Sequence, residues 1–333
     1  MAADQFKSDG SVRQFIEVLK RLWYLLPMKL QKGTLWQKIL RVTENALSTG
    51  ALLSIPTEYE FVEDRGMSFF VRVLSSLRLK DEAKQQQEKE SAATGVQANP
   101  FLPYENDLFV ADISDTHVAI LNKFNVVEHH LLIITRRFED QEALLTPDDF
   151  KALRTCMSEY SCLGFYNAGV AAGASQKHKH LQIVPLPLAP EGPQVPIEPL
   201  LAKADYKDGL ATIPAFPFLH VFARIEPETL KAQSDEGEKT FALYCAMLNR
   251  VGMACPDRGG INRQSGPYCL LVAQDWMLLV PRSHEFFDSI SVNSLGFAGA
   301  LLVRNKDQME RVKSCGPMTV LREVGLPVSG KRQ

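Results

Sequence analysis

His178, His180 and Gln182 stand two residues apart at the head of an apolar run that ends at Pro185. On an extended strand alternate side chains share a face. These three therefore line one side, and Lys179, Leu181 and Ile183 line the other. Just upstream lies a small-residue loop, 169–175, which includes Gly173 and can present backbone N–H groups to an anion. Ser175 and Gln176 add side-chain donors for non-bridging phosphate oxygens. A neutral imidazole is a competent nucleophile toward phosphorus, because its pKa lies near physiological pH. It needs its far ring N–H held by an acceptor, such as a backbone carbonyl. Gln182 narrows the chemistry further. A third histidine there could protonate a leaving group, whereas glutamine can only donate a hydrogen bond to a phosphoryl oxygen. Such a site favours leaving groups of low pKa, polyphosphates above all.

Two plainer explanations compete for the same residues. Two histidines at i and i+2 can share a zinc ion if a third ligand comes from Glu128, His129 or His130. They can equally be ordinary hydrogen-bonded residues of a half-buried strand. The glycine-containing loop tips the balance toward the nucleophile. Around it, Asn167 ends the preceding strand near the same rim. Lys123, Asn125 and Thr135 frame an earlier strand pair, where Asn125 can equally cap a turn. Arg72, Arg282 and His284 are candidate neutralisers of distal phosphate charge, a role that suits nucleotidyl transfer. Lys177 and Lys179 are expected to be solvated.

The elements that must carry these groups follow from periodicity and punctuation. Helical spacing of Phe15, Val18, Leu19, Leu22 and Leu26 precedes Pro27, and a second helix runs from Thr34 to Leu47 before Gly50. Strand-like segments flank Asp64–Gly66. Val118–Leu121 and Leu131–Thr135 form an antiparallel pair. Thr146, Pro147 and Asp149 give the N-cap, first-turn proline and capping-box pattern of a helix whose buried face is Phe150, Leu153, Met157 and Tyr160. Phe165–Asn167 is a short strand leading into the loop. Later come a proline-rich crossing over 185–217, a helix over 227–251, a strand pair at Tyr268–Val272 and Met277–Val280, and a helix over 294–303. Residues 81–99 are polar and read as a mobile loop. Strand pair followed by helix thus occurs twice, and the second copy lacks the His-x-His-x-Gln. The fold expected is α/β, of the α+β kind: a duplicated, mainly antiparallel sheet flanked by helices. Its divisions are 1–50 (helical segment), 51–187 (catalytic half) and 188–333 (degenerate half).

Composition excludes several function classes. The 333 residues are 45% hydrophobic and 23% charged, with a formal net charge of −2. That is a globular profile with no general attraction to nucleic acid. No stretch reads as a signal peptide or a transmembrane helix. The six cysteines form no C-x-x-C pair and read as reduced core residues of a cytoplasmic protein.

The His-x-His-x-Gln strand resembles the transferase branch of the histidine-triad superfamily. Several separate blocks resemble one of its families more closely, the diadenosine tetraphosphate phosphorylases, or ATP adenylyltransferases. The blocks are Asn99–Tyr104, Leu121–Val127, Leu131–Thr135, Gly164–Asn167, Ser175–Gln182 and Asn293–Gly299, in order between about residues 35 and 310. The resemblance implies two fused histidine-triad-like halves, usually monomeric. It also implies reversible phosphorolysis of diadenosine tetraphosphate to ADP and ATP. By position it makes His180 the adenylyl-accepting nucleophile, with His178 orienting it and Gln182 holding the α-phosphate. Ser175, Gln176 and Gly173 would hold the polyphosphate and Asn167 the ribose or phosphate. Arg72, Lys123 and Asn125 lie in nucleotide-binding blocks, whereas His284 stands where the family often has lysine. No tightly bound cofactor or protein-held metal is implied, and Mg2+ would travel with the polyphosphate. Hexose-1-phosphate uridylyltransferases share the strand but generally carry proline between the histidines and glycine after the second. Here those positions are Lys179 and Leu181. A non-catalytic dinucleotide sensor is the remaining alternative.

Overall fold

The computed structural model describes residues 30–74, 99–225, 236–255 and 262–328. The helix expected over 11–26 and the polar stretch 81–98 lie outside these residues. A helix spans Leu35–Thr49 and stops at Gly50, which sits at φ 75°, in the left-handed region that glycine enters without penalty. A hairpin of β1 (Thr57–Asp64) and β2 (Met67–Leu74) follows.

The strands of the first half are β3 (Phe109–Asp112), β4 (His117–Leu121), β5 (Leu131–Thr135), β6 (Cys162–Ala168) and β7 (His180–Pro185). Those of the second half are β8 (Asp205–Lys207), β9 (Leu210–Thr212), β10 (Val221–Arg224), β11 (Tyr268–Val272) and β12 (Trp276–Pro281). All ten join one sheet in the order β3-β4-β5-β7-β6-β11-β12-β10-β9-β8. The seam between halves is the antiparallel pair β6–β11. The expected duplication is visible in the register. Pro185 pairs with Cys162, the first residue of β6, and Pro281 pairs with Tyr268, the first residue of β11. Counting back from the two prolines places Trp276 at the position of His180 and Leu278 at that of Gln182. The second half keeps the scaffold and has replaced both polar groups with apolar ones.

Helices cover one face of the sheet. Pro147–Met157 and Glu236–Arg250 pack there with Leu35–Thr49, burying Leu181, Ile183 and Leu270 among Phe150, Leu153 and Tyr244. Leu181 and Ile183 are fully buried, each worth about 1.5–3 kcal/mol. A one-residue slip would exchange the faces of β7, so these two side chains fix which way His180 and Gln182 point. Thr146 caps the 147–157 helix as its sequence implies. Its hydroxyl accepts from the Asp149 N–H, and the Asp149 carboxylate accepts from the Thr146 N–H at 2.7 Å. The other face carries a second core, built on β2, β13 (Ala300–Val303) and the helices Lys306–Cys315 and Pro317–Val324.

The structure corrects two expectations here. Residues 294–303 are not one helix. Ser294–Phe297 makes a single turn, Gly299 sits at φ 90°, and Ala300–Val303 is a strand parallel to β2. The apolar spacing of Leu295, Ala298 and Leu302 mimics a helix, but the glycine breaks it and β2 supplies a partner. Cys245 and Cys255 are joined in a disulfide, whereas Cys156, Cys162, Cys269 and Cys315 are free. Among the described residues no helix is long and apolar enough to cross a membrane.

Candidate active site

His180 opens β7, the strand held between β5 and β6. Its backbone N–H donates to Gln141 Oε1 at 2.8 Å, while Gln141 Nε2 donates to the Asn167 carbonyl at 2.8 Å. Gln141 is buried and ties the entry of β7 to the end of β6. The His180 ring N–H at Nδ1 donates to the His178 carbonyl at 2.8 Å. Nδ1 therefore carries the proton and Nε2 carries the lone pair. No hydrogen bond engages Nε2 among the described residues. Burial lowers the His180 pKa to about 4; the His178 carbonyl opposes this and the His178 ring adds to it. At neutral pH the ring is uncharged and nucleophilic.

His178 is extended but precedes the regular strand, paired with Asp140 in an isolated bridge. Both its ring nitrogens are occupied. Nε2–H donates to the Thr135 carbonyl at 2.9 Å and lies 2.9 Å from Thr135 Oγ1, whose own proton goes to the Arg137 carbonyl. Nδ1 accepts from Asn99 Nδ2 at 3.1 Å, because Asn99 Oδ1 is taken by the Phe101 N–H. With its lone pair used, His178 holds the His180 ring through its carbonyl. Phe101 meets both rings edge-on, 5.8 Å from His178 and 5.2 Å from His180. Among the described residues no three His, Cys, Asp or Glu side chains converge as a metal site.

Two amides flank His180 on the same face. Gln182 Oε1 accepts from His130 Nε2–H at 3.1 Å. Asn167 Oδ1 accepts from the Ser294 N–H at 2.9 Å and lies 2.7 Å from the Ser294 hydroxyl. With both carbonyl oxygens engaged, the two NH2 groups are left without a protein partner among the described residues. A lone pair between two amide donors is suited to in-line attack on a phosphoryl centre.

Lys179 faces the other way, as the strand period requires, but it is not solvated. Its ammonium donates to Glu139 at 2.9 Å, to Asp149 at 3.0 Å and to the Leu144 carbonyl at 3.1 Å. It is fully buried because the 147–157 helix covers that face. Asp149 also accepts from His117 Nε2 at 2.9 Å. His117 and Lys179 hold its pKa at about 2 although burial, the largest influence, pushes it up.

The loop 169–175 differs from expectation in its donors. The N–H groups of Ala172, Gly173 and Ala174 bond the Gly169 and Val170 carbonyls. Gly173 has no donor left for phosphate. It is glycine because φ is 91° and a Cβ would meet Asn293 at 2.9 Å. Ser175 is exposed and Gln176 half-buried, and both remain accessible. Beside the loop lies a cleft of about 550 Å³, lined by Gly169, Val170, Gln264, Ser265 and His284 from both halves.

Of the proposed cations, Arg282 is corrected. It is buried, and its guanidinium donates to the carbonyls of Val324, Val292 and His284 at 2.9–3.1 Å, so it braces the second half. Lys123 pairs with Glu105 at 2.6 Å at the surface. Asn125 is buried, accepting from Ser54 Oγ at 2.8 Å and donating to the Val127 carbonyl at 3.0 Å, which is the turn-capping role. Arg72 is half-buried over the Phe70 ring and donates to the Val126 carbonyl at 3.1 Å. Sequence reasoning missed Gln141, Ser294 and the pairing of His130 with Gln182. Each joins distant segments, and no spacing announces it.

The family model of the Ap4A phosphorylase N-terminal domain matches residues 26–203, and that of the ATP adenylyltransferase C-terminal domain matches residues 214–327. The chain is similar to diadenosine 5',5'''-P1,P4-tetraphosphate phosphorylase 2 of Saccharomyces cerevisiae. Identity is 28% over 272 residues, covering 73% of this chain and 78% of that one. Protein APA1 of the same yeast is 28% identical over 313 residues, covering 87% and 94%. The crystal structure of yeast Ap4A phosphorylase Apa2 has the same fold, with a TM-score of 0.70 at 22% identity over 90% of this chain and 99% of that one. Its complex with Ap4A aligns equally well. The chain therefore belongs to the Ap4A phosphorylase and ATP adenylyltransferase family of nucleotidyltransferases.

Proposed function

We propose that this chain phosphorolyses diadenosine tetraphosphate through an adenylyl group carried on His180. The Nε2 lone pair forms a bond to the α-phosphorus while the bond from that phosphorus to the bridging oxygen breaks. ATP leaves with the electron pair. The ring becomes cationic, and its Nδ1–H bond to the His178 carbonyl strengthens as charge develops. An oxygen of inorganic phosphate then attacks the same phosphorus from the other side of the N–P bond. ADP departs and the lone pair returns to Nε2. The NH2 groups of Gln182 and Asn167 donate to the non-bridging oxygens in both steps. Neither step needs a general acid, because polyphosphate is a good leaving group. Ser175 and Gln176, which are accessible, and His284, which lines the cleft, suit the distal phosphates. Mg2+ would accompany the polyphosphate oxygens. A cytoplasmic, monomeric enzyme without a resident cofactor is the form in which we expect this activity.

The observation that carries the proposal is the 2.8 Å bond from His180 Nδ1 to the His178 carbonyl, which puts the lone pair on Nε2 of a neutral ring. The names of the yeast relatives support the choice of substrate. The test is His180→Ala with diadenosine tetraphosphate and phosphate. Turnover should vanish while substrate still binds, and substantial residual ADP formation would remove the covalent route.

A further inference from the structure

His130 does not enter the chemistry above, yet its hydrogen bonds determine what Gln182 can do. Asn122 Oδ1 accepts from the Phe124 N–H at 3.3 Å, which turns Asn122 Nδ2 toward His130 Nδ1 at 3.1 Å. His130 Nδ1 is thereby an acceptor, so the proton sits on Nε2. Nε2–H then faces Gln182 at 3.1 Å and selects its oxygen, which leaves the NH2 group for the phosphoryl oxygen. Were the amide reversed, its oxygen would face the anion and repel it.

The second half supplies an internal comparison. Leu131 pairs with Ile183 and Val221 with Leu279, each partner lying two residues before the reference proline. His220 therefore occupies the position of His130. There the tautomer is reversed: Nδ1–H donates to the Phe218 carbonyl at 2.8 Å and Nε2 accepts from the Ile213 N–H at 2.7 Å. A histidine serves both halves at this position, and only the half with a glutamine diagonal to it on the neighbouring strand points a donor at that glutamine. We infer that His130, set by Asn122, is a positioning residue that fixes the Gln182 amide with its donors toward the transferred phosphoryl group.

The inference rests on the proposed role of Gln182, and the experiment separates the two. Single-turnover adenylylation by diadenosine tetraphosphate is measured for the full chain and for Gln182→Ala, His130→Leu, His130→Asn and the His130→Leu/Gln182→Ala double variant. Losing one hydrogen bond from the relay should slow His130→Leu about 3- to 10-fold, with substrate affinity little changed. His130→Asn, which keeps a donor, should recover part of that rate. In the Gln182→Ala background the His130 change should add less than about 2-fold, since coupled residues are not additive. The same factor in both backgrounds, or an unchanged rate in His130→Leu, would overturn the positioning role. A wild-type rate for Gln182→Ala would overturn the role of Gln182 itself. Should His130→Leu not fold, Asn122→Ala tests the same relay, with the same dependence on Gln182 expected and its absence counting against the inference.

Discussion

Lys179→Met should unsettle the enzyme from behind its active site. The ammonium is fully buried, with acceptors from Glu139, Asp149 and Leu144, and Asp149 is itself 1% exposed. Methionine fills most of the volume but leaves the Asp149 carboxylate without its charge partner. Removing one member of a buried ion pair costs roughly 3–5 kcal/mol. His117 and the Thr146 N–H still hold Asp149, and Glu139 can turn to water, so a loss of about 3 kcal/mol is expected at pH 7. The pH dependence gives the sharper signature. The pKa of Asp149 falls from 3.8 to about 2 in the fold, equivalent to roughly 2 kcal/mol of stability. A depressed carboxylate stabilises the fold above its unfolded pKa, and that contribution is lost as pH falls through about 2. Without Lys179 the Asp149 pKa moves back up. The deficit of the variant against wild type should therefore be largest above pH 5 and shrink toward pH 2. Urea unfolding of both proteins across that range measures it. A deficit below about 1 kcal/mol at pH 7, or one constant with pH, would refute the buried ion-pair account.

Further outcomes are expected elsewhere. Because the His180 pKa is lowered to about 4, the rate of enzyme adenylylation should stay level from neutrality down to about pH 5 and fall only below that. An acid limb centred near the ordinary histidine value of about 6.5 would contradict the desolvated ring. Reduction of the Cys245–Cys255 disulfide, which closes a short loop, should destabilise the second half by about 2–3 kcal/mol. Thiol titration of the unfolded chain should then rise from four groups to six, and an unfolding midpoint unmoved by dithiothreitol would argue against that contribution.

What the sequence discloses is mostly local. The two-residue spacing of His178, His180 and Gln182 identifies their shared face, and Thr146, Pro147 and Asp149 locate a helix start, because both patterns act over a few residues. The same spacing places Lys179 on the opposite face but cannot say what covers that face. Its partners lie 30 and 40 residues away, on Asp149 and Glu139. Arg282 carries the charge expected of a phosphate ligand, yet three segments supply carbonyls that absorb it. The helix expected over 294–303 fails for a related reason. Its apolar period is compatible with either structure, and the parallel partner β2 is more than two hundred residues distant in the chain. The His-x-His-x-Gln motif announces the proposed nucleophile and one of its proposed donors. The Ser294 contact that turns Asn167 comes from the other half and leaves no trace in the spacing.

In the proposed mechanism His180 Nε2 bonds transiently to an adenylyl group. Enzyme mixed with diadenosine tetraphosphate in the absence of phosphate, quenched under alkaline conditions and digested, can be mapped by mass spectrometry. One adenylyl group should be found on the peptide containing His180, and adding phosphate before the quench should discharge it as ADP. An adduct on another residue, or turnover with no adduct even when phosphate is withheld, would contradict the account.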